Sequence, residues 1–134
     1  MALIYRDGEG KKPSVASGTY IGNIRNGLVY RDSGTPAEGY GTYIGSFHEG
    51  KVFSHHGTPR LGQGEYCGSV RDGVLYRDHG TPQIGHGTYV GSVYEGVVYA
   101  DSGPFGIACG RYVGSGIGGY DDEVGAAALL LGLV

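Results

Sequence analysis

Gly18-Thr19-Tyr20-Ile21-Gly22-Asn23-Ile24-Arg25-Asn26-Gly27-Leu28-Val29-Tyr30-Arg31-Asp32 is the stretch whose frame the rest of the chain repeats. Its leading glycine returns as Gly41, Gly64, Gly87 and Gly110, each 23 residues on. Tyr20, Tyr43, Tyr66, Tyr89 and Tyr112 keep step with it, and so do Gly22, Gly45, Gly68, Gly91 and Gly114. A third series runs through Gly27, Gly50, Gly73, Gly96 and Gly119. A strict period of this kind marks an array of supersecondary units and takes precedence over any local reading.

Within the unit, residues 19–25 and 28–32 are rich in β-formers, and Asn26-Gly27 separates them. The later copies carry Glu49-Gly50, Asp72-Gly73 and Glu95-Gly96 there. A two-residue loop with Gly second suits a type I′ turn, whose twist matches that of the strands. That turn pairs Ile24 with Val29 and Asn23 with Tyr30. Strict alternation then puts Tyr20, Gly22, Ile24 and Val29 on one face, and Ile21, Asn23, Leu28 and Tyr30 on the other. Both faces carry apolar residues, so packing on both sides is expected.

A Gly-Thr-Pro turn follows each hairpin, at residues 34–36, 57–59 and 80–82. Proline fixes φ and the flanking glycine widens the conformational choice. The fourth linker, residues 103–110, departs from this pattern and is more apolar. The first linker, residues 8–17, is two residues longer than its counterparts, yet Pro13 falls where Pro36, Pro59 and Pro82 do.

Leu3-Ile4-Tyr5-Arg6-Asp7 matches Leu28-Val29-Tyr30-Arg31-Asp32, so the chain starts with the second half of a unit. The fifth unit has only its first half, residues 111–116. Pairing these two halves closes a ring of about ten short antiparallel strands with pseudo-fivefold symmetry. Closure removes the sheet edges that an open array exposes. A lone hairpin is marginal in water, so neighbouring units must share their burial. The expectation is an all-β, barrel-like single repeat domain over residues 1–134. Within it, residues 1–17 form the closing strand and linker, 18–116 the hairpin repeats, and 117–134 a C-terminal extension. The apolar tail, residues 124–134, is rich in Ala and Leu and is helix-prone. It is too short to span a bilayer. Plugging one end of the ring or making a subunit contact are its two expected roles.

Composition narrows the function classes. The chain has 134 residues, of which 29 are Gly and only 5 Pro, and the glycines lack a three-residue period, which excludes collagen. Net charge is -3 with scattered Lys and Arg, which argues against nucleic acid as a partner. The first residues lack the apolar core of a signal peptide, so a reduced cytoplasmic setting is expected. No transmembrane segment is expected, and no cofactor.

Two families share parts of this pattern. The run from Gly27-Leu28-Val29-Tyr30-Arg31-Asp32-Ser33-Gly34 to Tyr43-Ile44-Gly45-Ser46-Phe47-His48-Glu49-Gly50-Lys51-Val52-Phe53 resembles bacterial β-flower domains. That resemblance covers nearly the whole chain and implies Tyr- and Gly-rich hairpins around a pseudo-rotation axis. The family commonly has four units where this chain has five, and it brings no established activity. Tyr43-Ile44-Gly45-Ser46-Phe47-His48-Glu49-Gly50 is also similar to the MORN repeat, which implies an open hairpin solenoid. The two differ in whether the first and last strands touch.

Few residues suggest chemistry. The recurring tyrosines suit core packing with hydroxyls at the rim, or an aromatic collar that binds a sugar or peptide. Asp7, Asp32, Asp78 and Asp101 share one position, with His55 in the remaining slot, and Arg6, Arg31 and Arg77 precede three of them. Salt bridges, turn-capping bonds, a cation site or a polar groove would each fit that arrangement. His55, His56, His79 and His86 are the only candidates for a metal, and they lack a complete ligand spacing. Cys67 replaces Ile or Val of the other units and reads as a small core residue, while Cys109 lies in the odd linker. The chain thus reads as a non-enzymatic structural or binding module, with a protein or glycan as partner. A lectin-like protein is the alternative, and self-association through the tail is a further expectation.

Overall fold

The computed structural model describes every residue except 9, 10, 104, 105, 107 and 108. Its strands are β1 (Ala2–Arg6), β2 (Thr19–Arg25), β3 (Leu28–Arg31), β4 (Thr42–His48) and β5 (Lys51–Ser54). They continue with β6 (Glu65–Arg71), β7 (Val74–Arg77), β8 (Thr88–Tyr94), β9 (Val97–Ala100) and β10 (Arg111–Ile117). One helix, α1 (Asp121–Leu131), follows. The strands form a closed antiparallel barrel in which each pairs with its sequence neighbours, and β1 pairs with β10. The seam registers Leu3 with Ile117, Ile4 with Gly116, Tyr5 with Ser115 and Arg6 with Gly114. The first and last strands therefore touch, as ring closure requires.

The hairpin turns follow the sequence. Asn26 and Gly27 have φ of 52° and 79°, Glu49 and Gly50 49° and 81°. Asp72 and Gly73, and Glu95 and Gly96, repeat the same pair of positive φ values. Positive φ at both central residues is the requirement of a type I′ turn. Asn23 pairs with Tyr30 and Ile24 with Val29.

The expected face of the tyrosines needs correction. Ile4 of β1 faces Gly22, but Tyr5 faces Tyr20, so Ile21 is an extra residue in β2. The same shift recurs where β3 meets β4, β5 meets β6, β7 meets β8 and β9 meets β10. A bulge advances the side-chain alternation by one residue. Tyr20 consequently lies on the outer face with Asn23, not on the inner face with Gly22 and Ile24. The extra residue of each unit packs against the core, as seen for Ile21, Ile44, Cys67, Val90 and Val113. Glycine precedes the inward-facing part of each strand for a steric reason. A Cβ on Gly22 would strike the Tyr30 carbonyl oxygen, and one on Gly91 that of Tyr99.

Ile4, Ile24, Val29, Val52, Val70, Leu75, Val93 and Val98 point inward and are almost fully buried. They surround α1, whose residues 124–129 are all buried and which packs against all ten strands. The tail is thus a helix inside the lumen rather than a plug across one end. An α-helix buried on every side must be apolar all round, and Val124-Gly125-Ala126-Ala127-Ala128-Leu129 is. Its small residues let the strands close on it: a Cβ on Gly125 would lie 2.5 Å from Leu75 Cδ2 and 3.2 Å from Val70 Cγ1. The fifth unit is cut to fit as well. Gly116 stands where Ile24, Phe47, Val70 and Val93 stand in the other units, and Val124 occupies the vacated space.

Polar groups fix the helix at both ends. Asp122 Oδ1 accepts from the Gly73 N–H at 2.8 Å, and Asp121 accepts from the Glu95 and Gly96 N–H groups at 3.1 and 2.9 Å. Gly132 ends the helix in the left-handed conformation, with φ 81°. The Arg77 guanidinium donates to the Val134 carbonyl at 2.6 Å and to that of Leu129 at 3.5 Å. Among the described residues no helix is long and apolar enough to cross a membrane.

Candidate functional site

The outer face is covered by the linkers, and the bulge is what lets the tyrosines hold them. The Tyr20 hydroxyl lies 3.1 Å from both the Asp32 carboxylate and the Ala37 carbonyl, and it accepts from Asn23 Nδ2 at 2.9 Å. Asn23 Oδ1 accepts from the Gly39 N–H at 2.8 Å. The second unit repeats the scheme: Tyr43 donates to the Arg60 carbonyl at 3.1 Å, and Ser46 Oγ accepts from the Gly62 N–H at 3.0 Å. In the third, Tyr66 donates to the Gln83 carbonyl at 3.0 Å, and Ser69 accepts from the Gly85 N–H at 3.0 Å. Tyr89 reaches the Gly106 carbonyl at 3.0 Å. Residues 104, 105, 107 and 108 of the fourth linker lie outside the described residues.

The fifth hairpin is assembled from β10 and β1, and the first linker covers it. Tyr112 lies 2.8 Å from the Asp7 carboxylate and 2.9 Å from the Ser14 carbonyl, and Ser115 Oγ accepts from the Ala16 N–H at 2.9 Å. The first linker thereby does what the other linkers do for their own hairpins. Asn23, Ser46, Ser69, Ser92 and Ser115 are each fully buried at this position. Sequence reasoning did not single out this polar series, although it recurs every 23 residues.

The aspartate series serves the tyrosines. Asp7, Asp32 and Asp101 accept from Tyr112, Tyr20 and Tyr89, and His55 meets Tyr43 through Nδ1 at 3.1 Å. No Arg–Asp ion pair forms among the described residues, so a ring of salt bridges is not the arrangement. The Tyr112 hydroxyl, helped by the Gly8 N–H and by Lys11, holds the Asp7 carboxyl below its usual range against the cost of burial. Burial pushes the phenols of Tyr20, Tyr89 and Tyr112 up, and neighbouring carboxylates add to the rise.

The linkers leave clefts at the barrel end where the second strand of each hairpin finishes. One cleft, of about 470 Å³, lies among Tyr20, Ile21, Arg31, Asp32, Gly41 and Thr42. Another, of about 340 Å³, is lined by Arg77, Asp78, His79, Gly87, Thr88 and Val90. A third, of about 380 Å³, joins Arg6, Asp7 and Lys11 to Arg111, Tyr112 and Leu133. The three occupy the same place in the repeat, each with an Arg-Asp pair on its wall. Ser54-His55 and Ala100-Asp101 stand there in the other two units. Lys11 and Arg111 were not anticipated as site residues. Arg111 could have been found, because it replaces Thr19, Thr42, Glu65 and Thr88 of the other units.

The fold distributes the four candidate histidines rather than gathering them. His55 is bonded to Tyr43, His79 lines one cleft, and His56 and His86 are exposed. Among the described residues no group of three or more His, Cys, Asp or Glu is placed to hold a metal ion. Cys67 is partly buried, packs on the core and points its Sγ at the Val52 carbonyl at 3.4 Å, and burial pushes its thiol up. Cys109 is exposed, and both cysteines are free. Comparison with protein-family models, with curated proteins and with solved structures found no match.

Proposed function

We propose that this chain is a non-enzymatic binding module whose repeated clefts engage a protein or glycan partner around the barrel axis. One observation carries the reading: three clefts with an Arg-Asp pair recur at equivalent positions of the ring. Their volumes fall at the small end of ligand pockets. An ionised carboxylate accepts hydrogen bonds from sugar hydroxyls or peptide N–H groups, and an arginine beside it donates in a fixed fork. Asp32 is already oriented by Tyr20, so little ordering is left for the ligand to induce.

A metal-binding or enzymatic role for the linker histidines has less support, since they lie in different surroundings. Self-association through the tail has less support too, because residues 124–129 are taken up by the core.

Titration calorimetry against ligands drawn from glycan and peptide arrays tests the reading. Weak binding at more than one site per chain is expected, and Arg31→Ala and Asp78→Asn should each reduce the stoichiometry. A lack of array signal would overturn it. So would a single site unaffected by both substitutions.

A further inference from the structure

The three clefts differ in charge. The Arg31 cleft is lined by one arginine and Asp32, and the Arg77 cleft by one arginine and Asp78. The seam cleft sets Arg6, Lys11 and Arg111 against Asp7 alone. Lys11 Nζ lies 3.4 Å from Asp7 Oδ1, whose side chain is only 5% exposed. That carboxylate is satisfied by Lys11 and Tyr112. The Arg6 and Arg111 side chains have no hydrogen-bond or ion-pair partner among the described residues, and both residues are exposed. The carbonyls at the nearby helix end do not occupy them either, because Arg77 takes those of Leu129 and Val134.

The cations come from where the copies disagree. Lys11 lies in the linker that is two residues longer, and Arg111 stands where three other units carry threonine. Neither is required to build the barrel.

We infer that the seam cleft binds the phosphate or sulfate group of a small ligand. Resting on the reading of these clefts as binding sites, this assigns the ligand class of one of them. Arg6 and Arg111 donate to the anion from opposite strands of the seam, and Lys11 adds a point charge. Two free guanidiniums at one cleft favour an oxyanion over the neutral ligands that suit the charge-balanced clefts.

Backbone amide shifts in NMR spectra test this at constant ionic strength, with chloride as the balancing ion. The probes are inorganic phosphate, a sulfated disaccharide and the same disaccharide unsulfated. Phosphate should give saturable shifts at Gly8, Lys11, Arg111 and Val113 and leave the amides of the Arg31 and Arg77 clefts in place. The sulfated disaccharide should bind the seam at least about tenfold more tightly than the unsulfated one, the scale of a charge-assisted hydrogen bond. Arg111→Thr restores the commoner residue and should fold normally while weakening phosphate binding about tenfold or more. Lys11→Gln, at an exposed position, should weaken it less. Shifts that do not saturate, equal shifts at all three clefts, or unchanged binding in Arg111→Thr would overturn the inference. If the unsulfated sugar bound all three clefts and sulfate added nothing, the inference would fail and the repeated-cleft reading would stand. If phosphate bound at the seam and no array ligand bound elsewhere, the reverse would hold.

Discussion

Tyr112 and Asp7 meet at 2.8 Å across the seam, although 105 residues separate them in the chain. The contact joins the same residue types as the local one between Tyr20 and Asp32, which lie 3.1 Å apart. The seam is therefore built with the same parts as a continuous hairpin, and it adds an acid-sensitive group. The folded state holds the Asp7 carboxyl below its ordinary value of 3.8. Its contribution to stability is complete above that ordinary value and is lost as pH falls through the lower folded one. Urea midpoints measured down the acid range should fall less steeply for Asp7→Asn than for the parent chain. At the alkaline end, Tyr20, Tyr89 and Tyr112 are raised above 10.0. Their contribution is complete below that value and is lost as pH rises through the raised ones. Tyrosinate absorbance should therefore develop in an early phase and a late one, the late phase coinciding with unfolding.

The Tyr20 hydroxyl sits among Asp32, Ala37 and Asn23. Tyr20→Phe removes the phenol that ties the Asp32 carboxylate and the Ala37 carbonyl together and should cost about 1–2 kcal/mol. Tyr66→Phe should cost less, because Tyr66 donates only to the Gln83 carbonyl and lacks the asparagine. Equal losses in urea denaturation would show that the asparagine network adds nothing.

Glu49 is held at φ 49° in a turn where Asn26 supplies the residue type best suited to that conformation. Glu49→Asn should stabilise the chain by about 0.5–1 kcal/mol. The His48–Glu49 contact at 3.2 Å that it removes is exposed and contributes little. A lowered thermal midpoint would contradict this.

Gly116 invites a consensus repair, since the other four units carry Ile24, Phe47, Val70 and Val93 there. The helix makes that repair harmful. A Cβ on Gly116 would lie 2.5 Å from Val124 Cγ2 and 2.7 Å from Cγ1. Gly116→Val should destabilise by about 1–3 kcal/mol through overpacking, and Val124→Ala in the same chain should recover part of the loss. Stabilisation by Gly116→Val alone would mean that Val124 does not occupy this site.

Much of the fold could be read from the repeat, and the limits were physical. The turn at Asn26-Gly27 and the pairing of Ile24 with Val29 follow from a two-residue loop and a period of two, which act locally. The half-unit at Leu3-Asp7 pointed to closure because an unpaired strand needs a partner. The face of Tyr20 was misread because a bulge at Ile21 breaks the alternation, and the adjacent glycine is equally consistent with a simple close approach. The helix was foreseen from its Ala and Leu content, but its place in the lumen depends on fitting Gly125 and Gly116 against distant side chains. The Arg-Asp pairs were visible as a pattern. That they line clefts depends on linkers folding back over the barrel, which the tyrosine hydroxyls decide.

The closed barrel with its helical core is tested most directly by a nuclear Overhauser spectrum of the whole chain. Cross-strand backbone contacts between Leu3–Arg6 partners and Gly114–Ile117 should appear, as should contacts from the Ala127 methyl to the inward valines and leucines of several strands. Absence of the seam contacts, with hairpin contacts such as Asn23 to Tyr30 intact, would mean an open array and would remove the seam cleft with it.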